Sequence, residues 1–330
     1  LEAGAPLRAR VAFVFEGEEE IGSPHLGEFL AGRARWLRSD ICLLCDRGVH
    51  ESGRPQIYLG AKGMVQVRVR VRGSSREVHS SQAPLIPNPA WDLLRILAGM
   101  RDDRGRVLIP GFADAVRSPN TEDCRLIAGI PFKEDQYCAA YGVRRLLHTE
   151  SGPGRLVARC FLPTCNISGM HAGYTGLGSK TIIPPHAEAR LDFRLVPDQT
   201  AVDVAACIEK FLYETASSLG LVPGVDLDWE ITPHFDPYRA ELSQPAVQQV
   251  IKAARIAYGA EPVIWPLVDG SAPLAQFSRA IGGGPAILLG LGTAFEHANT
   301  HAPNEYIEVR DFMTGIKMMA TYFATFTESS

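Results

Sequence analysis

No stretch of this chain approaches the ~18 to 20 consecutive apolar residues of a membrane-crossing helix, so none is expected. No basic tract is present either. Lys and Arg number 33 against 37 Asp and Glu, for a formal charge of −4, which argues against a nucleic-acid partner. The seven cysteines are odd in number and scattered, so no disulfide framework is expected, and a reducing, cytoplasmic setting suits them. Cys42 and Cys45 have redox or zinc spacing, yet they lie inside an apolar run and read as two buried strand thiols. Phosphate loops are lacking: no Lys-Ser/Thr follows the glycines at 282–284 or at 290 and 292, which read as turns beside a strand. No internal repeat and no low-complexity segment occurs. The chain opens at Leu1 with no signal-peptide pattern, and its first expected element is already a central-type strand. The expectation is a chain that begins inside a domain.

What is present is material for packed cores, 46% hydrophobic residues in 330, and a length that allows about two domains. Residues 11–15 are five apolar residues in a row, read as a strand buried on both faces of a parallel sheet. Glu16, Glu18, Glu19 and Glu20 follow at once. Ser23 and Pro24 are expected to open a helix over 24–37, with Ser23 as its cap and with Leu26, Phe29, Leu30, Trp36 and Leu37 on or near one face. A second buried strand, 41–45, is expected to end at Asp46. Carboxylates at C-terminal strand ends of an α/β sheet stand where such sheets place their sites. A solvated acidic turn is the alternative.

The texture changes at Lys62. Val65, Val67, Val69 and Val71 alternate with Gln66, Arg68, Arg70 and Arg72, the pattern of a half-exposed antiparallel strand. A polar loop carrying His79 follows, then a helix from Asn88 and Pro89. Residues 102–160 read as short helices and loops, 187–196 as a second alternating strand, 200–218 as a helix and 225–231 as a strand. The parallel texture returns with a helix at 245–258, a buried strand at 286–291, a loop with Glu296, His297 and His301, and a closing helix over 307–326. That helix is expected to bury Val309, Phe312, Met313, Ile316, Met319 and Phe323. The fold class is α/β: a parallel-sheet domain at 1–61 and 238–330, interrupted by an α+β insert at 62–237. Glutamates, Asp46 and the His297/His301 loop at strand ends make a donor set suited to zinc or a similar divalent ion.

The run EGEEEIGS at 16–23 resembles the acidic signature of the dinuclear-zinc peptidase family of carnosinase, the glutamate carboxypeptidases and aminoacylase. Asp46 stands at a spacing from Glu20 that the family uses for its next ligand. HAPNE at 301–305 looks like its C-terminal histidine motif. KTIIP at 180–184, DFRLVP at 192–197 and VHS at 78–80 look like signatures of its inserted lid and dimerisation domain. The order is right along nearly the whole chain, and the carnosinase-like dipeptidase branch is the most similar.

The resemblance implies metal-dependent hydrolysis of a peptide or amide bond in small substrates with a free carboxylate. Glu19 would be the general base activating a metal-bound water. Glu20 and His301 would ligate one of two divalent ions, zinc by the resemblance, and Asp46 the other. His79 would reach the site of a partner subunit and support the oxyanion in a homodimer formed through the insert. Arg194 would clamp the substrate carboxylate, with Thr181, His234 and Ser271 completing that pocket. Alternatives stay open beside these: a surface ion pair with Asp192 for Arg194, plain exposure for His79, and turn roles for Thr181 and Ser271. His25, His50, His148, His171, His186 and His297 read as structural or surface residues. The family's His-x-Asp histidine and bridging aspartate precede the acidic run, and residues 1–10 contain neither His nor Asp. The expectation is therefore a fragment of a full enzyme, or a homologue that binds without hydrolysing, with weak metal retention and an associating open edge. N-acyl amino acid deacylation is the other reading within the hydrolase class.

Overall fold

The computed structural model describes Leu7 and residues 9–147, 150–294 and 297–326. His148 and Glu296 lie outside the described residues. In chain order the elements begin with α1 (Leu26–Leu37), β1 (Cys42–Gly48), β2 (Gln56–Tyr58), β3 (Gly60–Arg72), β4 (Val78–His79) and α2 (Pro89–Ala98). Then come α3 (Thr121–Ala128), α4 (Glu134–Tyr141), α5 (Pro153–Phe161), β5 (Thr164–Ala172), β6 (Ile182–Ile183), β7 (His186–Leu195) and α6 (Ala201–Leu219). The last are β8 (Leu227–Phe235), β9 (Tyr238–Arg239), α7 (Pro245–Tyr258), β10 (Val263–Trp265), β11 (Val268–Ser271), α8 (Leu274–Ala280), β12 (Ala286–Gly292) and α9 (Val309–Thr325).

Two compact units result. The first comprises Leu1–Lys62, Ser118–Phe161 and Tyr238–Ser330, the second Gly63–Arg117 and Leu162–Pro237. Residues 118–161, expected within the insert, pack in the first unit, where Ile127, Leu156, Cys160 and Phe161 join the core of α1 and α8.

The first unit is built on a four-stranded sheet ordered β1-β12-β2-β10. β1 and β12 are parallel, β2 and β10 are parallel, and β12 meets β2 antiparallel. Strand β12 is apolar throughout because both its faces are covered. Ala286 and Leu288 enter a core with α1, α5 and α8, and Ile287, Leu289 and Leu291 enter the opposite core with α7 and α9. Each fully buried aliphatic side chain here contributes about 1.5–3 kcal/mol. Helix α7 starts with Pro245 in its first turn and stops at Gly259, whose φ of 63° is left-handed, as its sequence directs.

The second unit carries an antiparallel sheet in which β3 pairs with β7 on one side and β8 on the other. Val65, Val67, Val69 and Val71 face inward opposite Phe193, Leu191, Ala189 and Ala187. Helices α2 and α6 cover that face through Leu93, Ile96 and Leu97 and through Val204, Ile208 and Leu212. The other face is polar, with Arg68 bonded to Glu188 and Glu230. Asn88 caps α2 by accepting from the Ala90 N–H, and Thr200 caps α6 by accepting from the Asp203 N–H.

Several expectations are corrected. Residues 11–15 form no strand. Phe13 and Phe15 are exposed and stack on each other. Five apolar residues make a buried strand only where a ladder partner takes their backbone groups, and no described strand pairs with them. Ser23 does not cap α1: its φ is 54°, and its carbonyl accepts from the Leu26 N–H at 3.2 Å. The helix therefore starts at Leu26, and Phe29 and Trp36 face solvent while Leu26, Leu30 and Leu37 are buried. Strand β1 runs past Asp46 to Gly48. It borders its sheet, so Cys45 is exposed and Cys42 half-buried rather than both being enclosed. Finally, α9 buries Asp311, Gly315, Met318 and Tyr322, and leaves Val309, Phe312, Met313 and Ile316 exposed. The close approach at Gly315 decides this: a Cβ there would lie 3.3 Å from Leu291 Cβ, so the helix meets β12 through its small residue. Met319 and Phe323 are partly buried against the same core.

Candidate active site

The acidic run folds as one tight turn. Glu19 and Glu20 lie in a single 3-10 turn, Glu19–Ile21, closed by Gly22 at φ 90°. The Gly22 N–H donates to Glu19 O at 2.9 Å and the Ser23 N–H to Glu18 O at 3.0 Å. The left-handed step at Gly22 suits glycine, and it reverses the chain so that the four glutamates take different directions. Glu18 leaves the cluster: its carboxylate pairs with His25 Nδ1 at 2.8 Å, a bond that raises the imidazole's proton affinity. Glu16 Oε1 is buried with no hydrogen-bond partner among the described residues.

Asp46 sits near the end of β1, where the register with β12 shifts on either side of Arg47. Irregularities of this kind re-aim side chains at strand ends. His301 lies in a loop that carries three non-glycine residues with left-handed backbone, Asn299, His301 and Asn304. Such conformations are costly and mark a tightly coiled loop. The coil brings His301 Nε2 to 3.2 Å from Glu20 Oε2.

These groups share one electrostatic field. Burial pushes the Glu19 carboxyl up, Asp46, Glu20 and Glu16 push it further, and His301 opposes them. Burial also raises Asp46; Glu20 and Glu305 add to the rise, while Arg47 and His301 act against it. Carboxylates crowded in this way resist ionising together, and a cation relieves the strain. The donor chemistry, carboxylate oxygens and an imidazole nitrogen, fits zinc or a similar divalent ion. The geometry supplies one close pair, Glu20 and His301, with Asp46 and Glu19 nearby. Among the described residues no three such side chains converge as a complete metal-binding group.

The remaining expected residues are placed as follows. In the second unit, His79 and Thr181 are brought together by the β4–β6 ladder, and the Ser80 N–H donates to Thr181 O at 3.0 Å. His79 is exposed, and its Nδ1 accepts from the Ser81 N–H at 3.2 Å. Arg194 on β7 and Phe235 on β8 both stand opposite Met64, so Arg194 and His234 share one end of the sheet. Arg194 Nε is 3.8 Å from Asp192 Oδ1, a long contact. His234 bonds Gln66 Oε1 at 3.0 Å, and burial lowers its proton affinity. Ser271 ends β11 in the first unit, paired with Lys62. Of the charged neighbours of Asp46, Arg47 escapes the sequence reading, and Glu305 enters it only as the end of the histidine motif. Arg47 follows Asp46 directly, but only the irregular β1 register turns that adjacency into a site feature.

A model of the peptidase dimerisation domain matches residues 59–218. An M20 family metallo-carboxypeptidase from Sulfolobus solfataricus superposes with a TM-score of 0.86 at 34% identity, covering 94% of this chain and 68% of that one. A Cys-Gly metallodipeptidase of Saccharomyces cerevisiae is 24% identical over 99% of this chain and 67% of its own length. The human Beta-Ala-His dipeptidase is 24% identical over 96% of this chain and 62% of its own. The chain thus spans about two thirds of the length of these relatives. With a dimerisation-domain match over residues 59–218 and a solved M20 relative 34% identical along nearly its whole length, the chain belongs to the M20 family of metallopeptidases.

Proposed function

We propose that this chain performs metal-dependent hydrolysis of the peptide bond of small, dipeptide-like substrates bearing a free carboxylate. The observation that carries the reading is the gathering of Glu19, Glu20, Asp46 and His301 into one mutually perturbing cluster. Glu20 and His301 would hold one divalent ion and Asp46 a second, with zinc favoured by the donor set. A bound ion of this kind supplies Lewis acidity for a carbonyl and acidity for water. Glu19, lying in the field of Asp46, Glu20, Glu16 and His301, takes the proton from the attacking water at its carboxylate and returns it to the leaving amine. Its raised pKa moves it toward neutrality, where a general base works well. Arg194, with Thr181 and His234, would fix the substrate's terminal carboxylate. Ser271 would assist from β11, and His79 would serve a partner subunit in a homodimer formed through the dimerisation-type unit. All seven cysteines are free, which supports a cytoplasmic setting.

The test is hydrolysis of a dipeptide panel by the full chain in the presence of added zinc, cobalt or manganese, beside an N-acyl amino acid panel. Turnover of dipeptides that is lost on chelation supports the reading. Turnover of acyl amino acids alone assigns a deacylase. One observation favours a second reading, a non-catalytic binding or dimerisation protein: the described residues hold no complete three-donor group. Absence of turnover on both panels with every metal would favour it.

A further inference from the structure

A cleft of about 900 Å³ opens within the first unit, in the size range of small-molecule sites. Its position is informative. Three separate segments that carry proposed site residues also line it. Arg47 and Gly48 follow Asp46, Gly270 precedes Ser271, and His297 belongs to the loop of His301. Arg47 crosses from the first of these to the second, since a Cβ on Gly270 would lie 2.7 Å from its guanidinium nitrogen. Glycine at 270 lets that guanidinium lie across the strand.

Tyr58, Phe132, Tyr137, Tyr141 and Trp265 form the aromatic part of a wall that also carries charged side chains. Tyr137 and Tyr141 are four apart on α4 and so share a face, with ring centroids 4.8 Å apart. Phe132 lies 5.5 Å from Tyr137. Trp265 stacks on Tyr58 at 6.0 Å with an 18° tilt. Between the two groups stands Arg159, its guanidinium 5.2 Å from the Trp265 ring and 5.8 Å from the Tyr137 ring. Asp269 pins it through bonds of 2.9 Å to Nε and 2.7 Å to a terminal nitrogen. The result is a planar cation seated among rings before any ligand arrives, an arrangement that favours further stacking.

On the Trp265 side of the wall, polar side chains bond within the protein. The Trp265 indole N–H donates to Gln56 Oε1 at 2.7 Å, and Gln56 Nε2 donates to Gly48 O at 3.0 Å. His50 bridges Ser52 and the Pro131 carbonyl. Selection by this part of the wall therefore works through ring contact and shape more than through hydrogen bonding.

We propose that the cleft is a side-chain pocket of the hydrolase described above and that it takes a large aromatic side chain of the substrate. The proposal rests on the dipeptidase reading for its substrate class. Tyr58 and Trp265 are already buried, so the accessible ring surface is that of Tyr137 and Tyr141 on α4, which a glycine or alanine side chain would leave bare and an aromatic one would cover.

The test compares Gly-Gly with Phe-Gly, Gly-Phe and Trp-Gly on the metal-supplemented full chain. At least one aromatic dipeptide is expected to exceed Gly-Gly by about tenfold in kcat/KM, the order of one good ring contact. Tyr137→Ala and, separately, Tyr141→Ala should pull that ratio toward one. A merely structural role for these tyrosines would lower both rates together and leave the ratio unchanged. Binding is measured in parallel by calorimetry. If no dipeptide is turned over, the hydrolase reading fails, and an aromatic dipeptide binding about tenfold more tightly than Gly-Gly, with the difference lost in both variants, still supports the pocket. Equal binding of aromatic and glycine dipeptides, or a ratio that survives both substitutions, overturns it.

Discussion

His301 Nε2 stands 3.2 Å from Glu20 Oε2, joining a turn near the start of the chain to a loop that follows the last strand. The two side chains are 71% and 74% exposed, so the pair adds little stability as a salt bridge. Its significance is geometric: two donors of the kinds that divalent ions prefer are held at one place by backbone that is strained on the histidine side and tightly turned on the glutamate side.

Replacing Glu19 by Gln removes the base while keeping a side chain of the same shape. Turnover should fall by roughly 10²–10⁴-fold, the usual share of general acid–base catalysis, with metal content unchanged. Assays of kcat beside metal analysis decide it; substantial remaining activity would sink the base assignment.

His301→Ala and Glu20→Gln should each weaken metal binding at least about tenfold, since even an outer partner of a metal ligand is worth that much. Competition against a chromophoric chelator measures it. Unaltered affinity in both variants places the ion elsewhere.

Arg194→Ala should raise KM for dipeptides with a free C-terminal carboxylate by roughly tenfold or more, because a charge-assisted hydrogen bond of about 1.5–3 kcal/mol is lost. Dipeptide amides, which lack the charge, should be nearly indifferent. An equal effect on both would mean that Arg194 acts through the sheet and not through the substrate.

Arg239 is 4% exposed and its guanidinium lies 2.7 Å from the fully buried Asp123. Asp123 also completes the capping box of α3 with Asn120. Asp123→Ala leaves a buried cation without its partner and should cost about 3–5 kcal/mol, seen as a lowered Tm. A change under 1 kcal/mol would show that Glu122 and Glu241, the other carboxylates near Arg239, take over the pairing.

Burial pushes the Asp269 carboxyl up, but Arg159 outweighs it and holds the group below the usual carboxylate range. The folded state thus favours the ionised form. The stability this contributes is complete above the ordinary Asp pKa of about 3.9 and is lost as pH falls through the lower folded value. Asp269→Asn should therefore destabilise the protein near neutrality, and the gap to wild type should close in strongly acidic buffer. Thermal melts from pH 7 down to 3 provide the comparison, and a gap that widens toward low pH would reverse the sign argued here.

The sequence alone determined what local periodicity can carry. The valine–arginine alternation of β3 and the matching alternation of β7 specify two half-buried strands, and the structure pairs them antiparallel. Asn88 with Pro89, Thr200, and Pro245 with Gly259 mark helix ends through groups that act within one turn. The acidic run and the histidine motif were legible as candidate site pieces because donor chemistry is written in residue type. Tertiary structure decided whatever depends on a partner. Residues 11–15 have strand character but no described ladder beside them. Helix α9 offers two apolar stripes, and the close approach of Gly315 to Leu291 selects the one that is buried. Asp46, Glu20 and His301 become neighbours only when β1, a glycine-closed turn and a strained loop converge. Periodicity fixes the kind of element, because it follows from backbone geometry. Which face is buried, and which charges meet, follows from packing between residues far apart in the chain, and no local pattern encodes that.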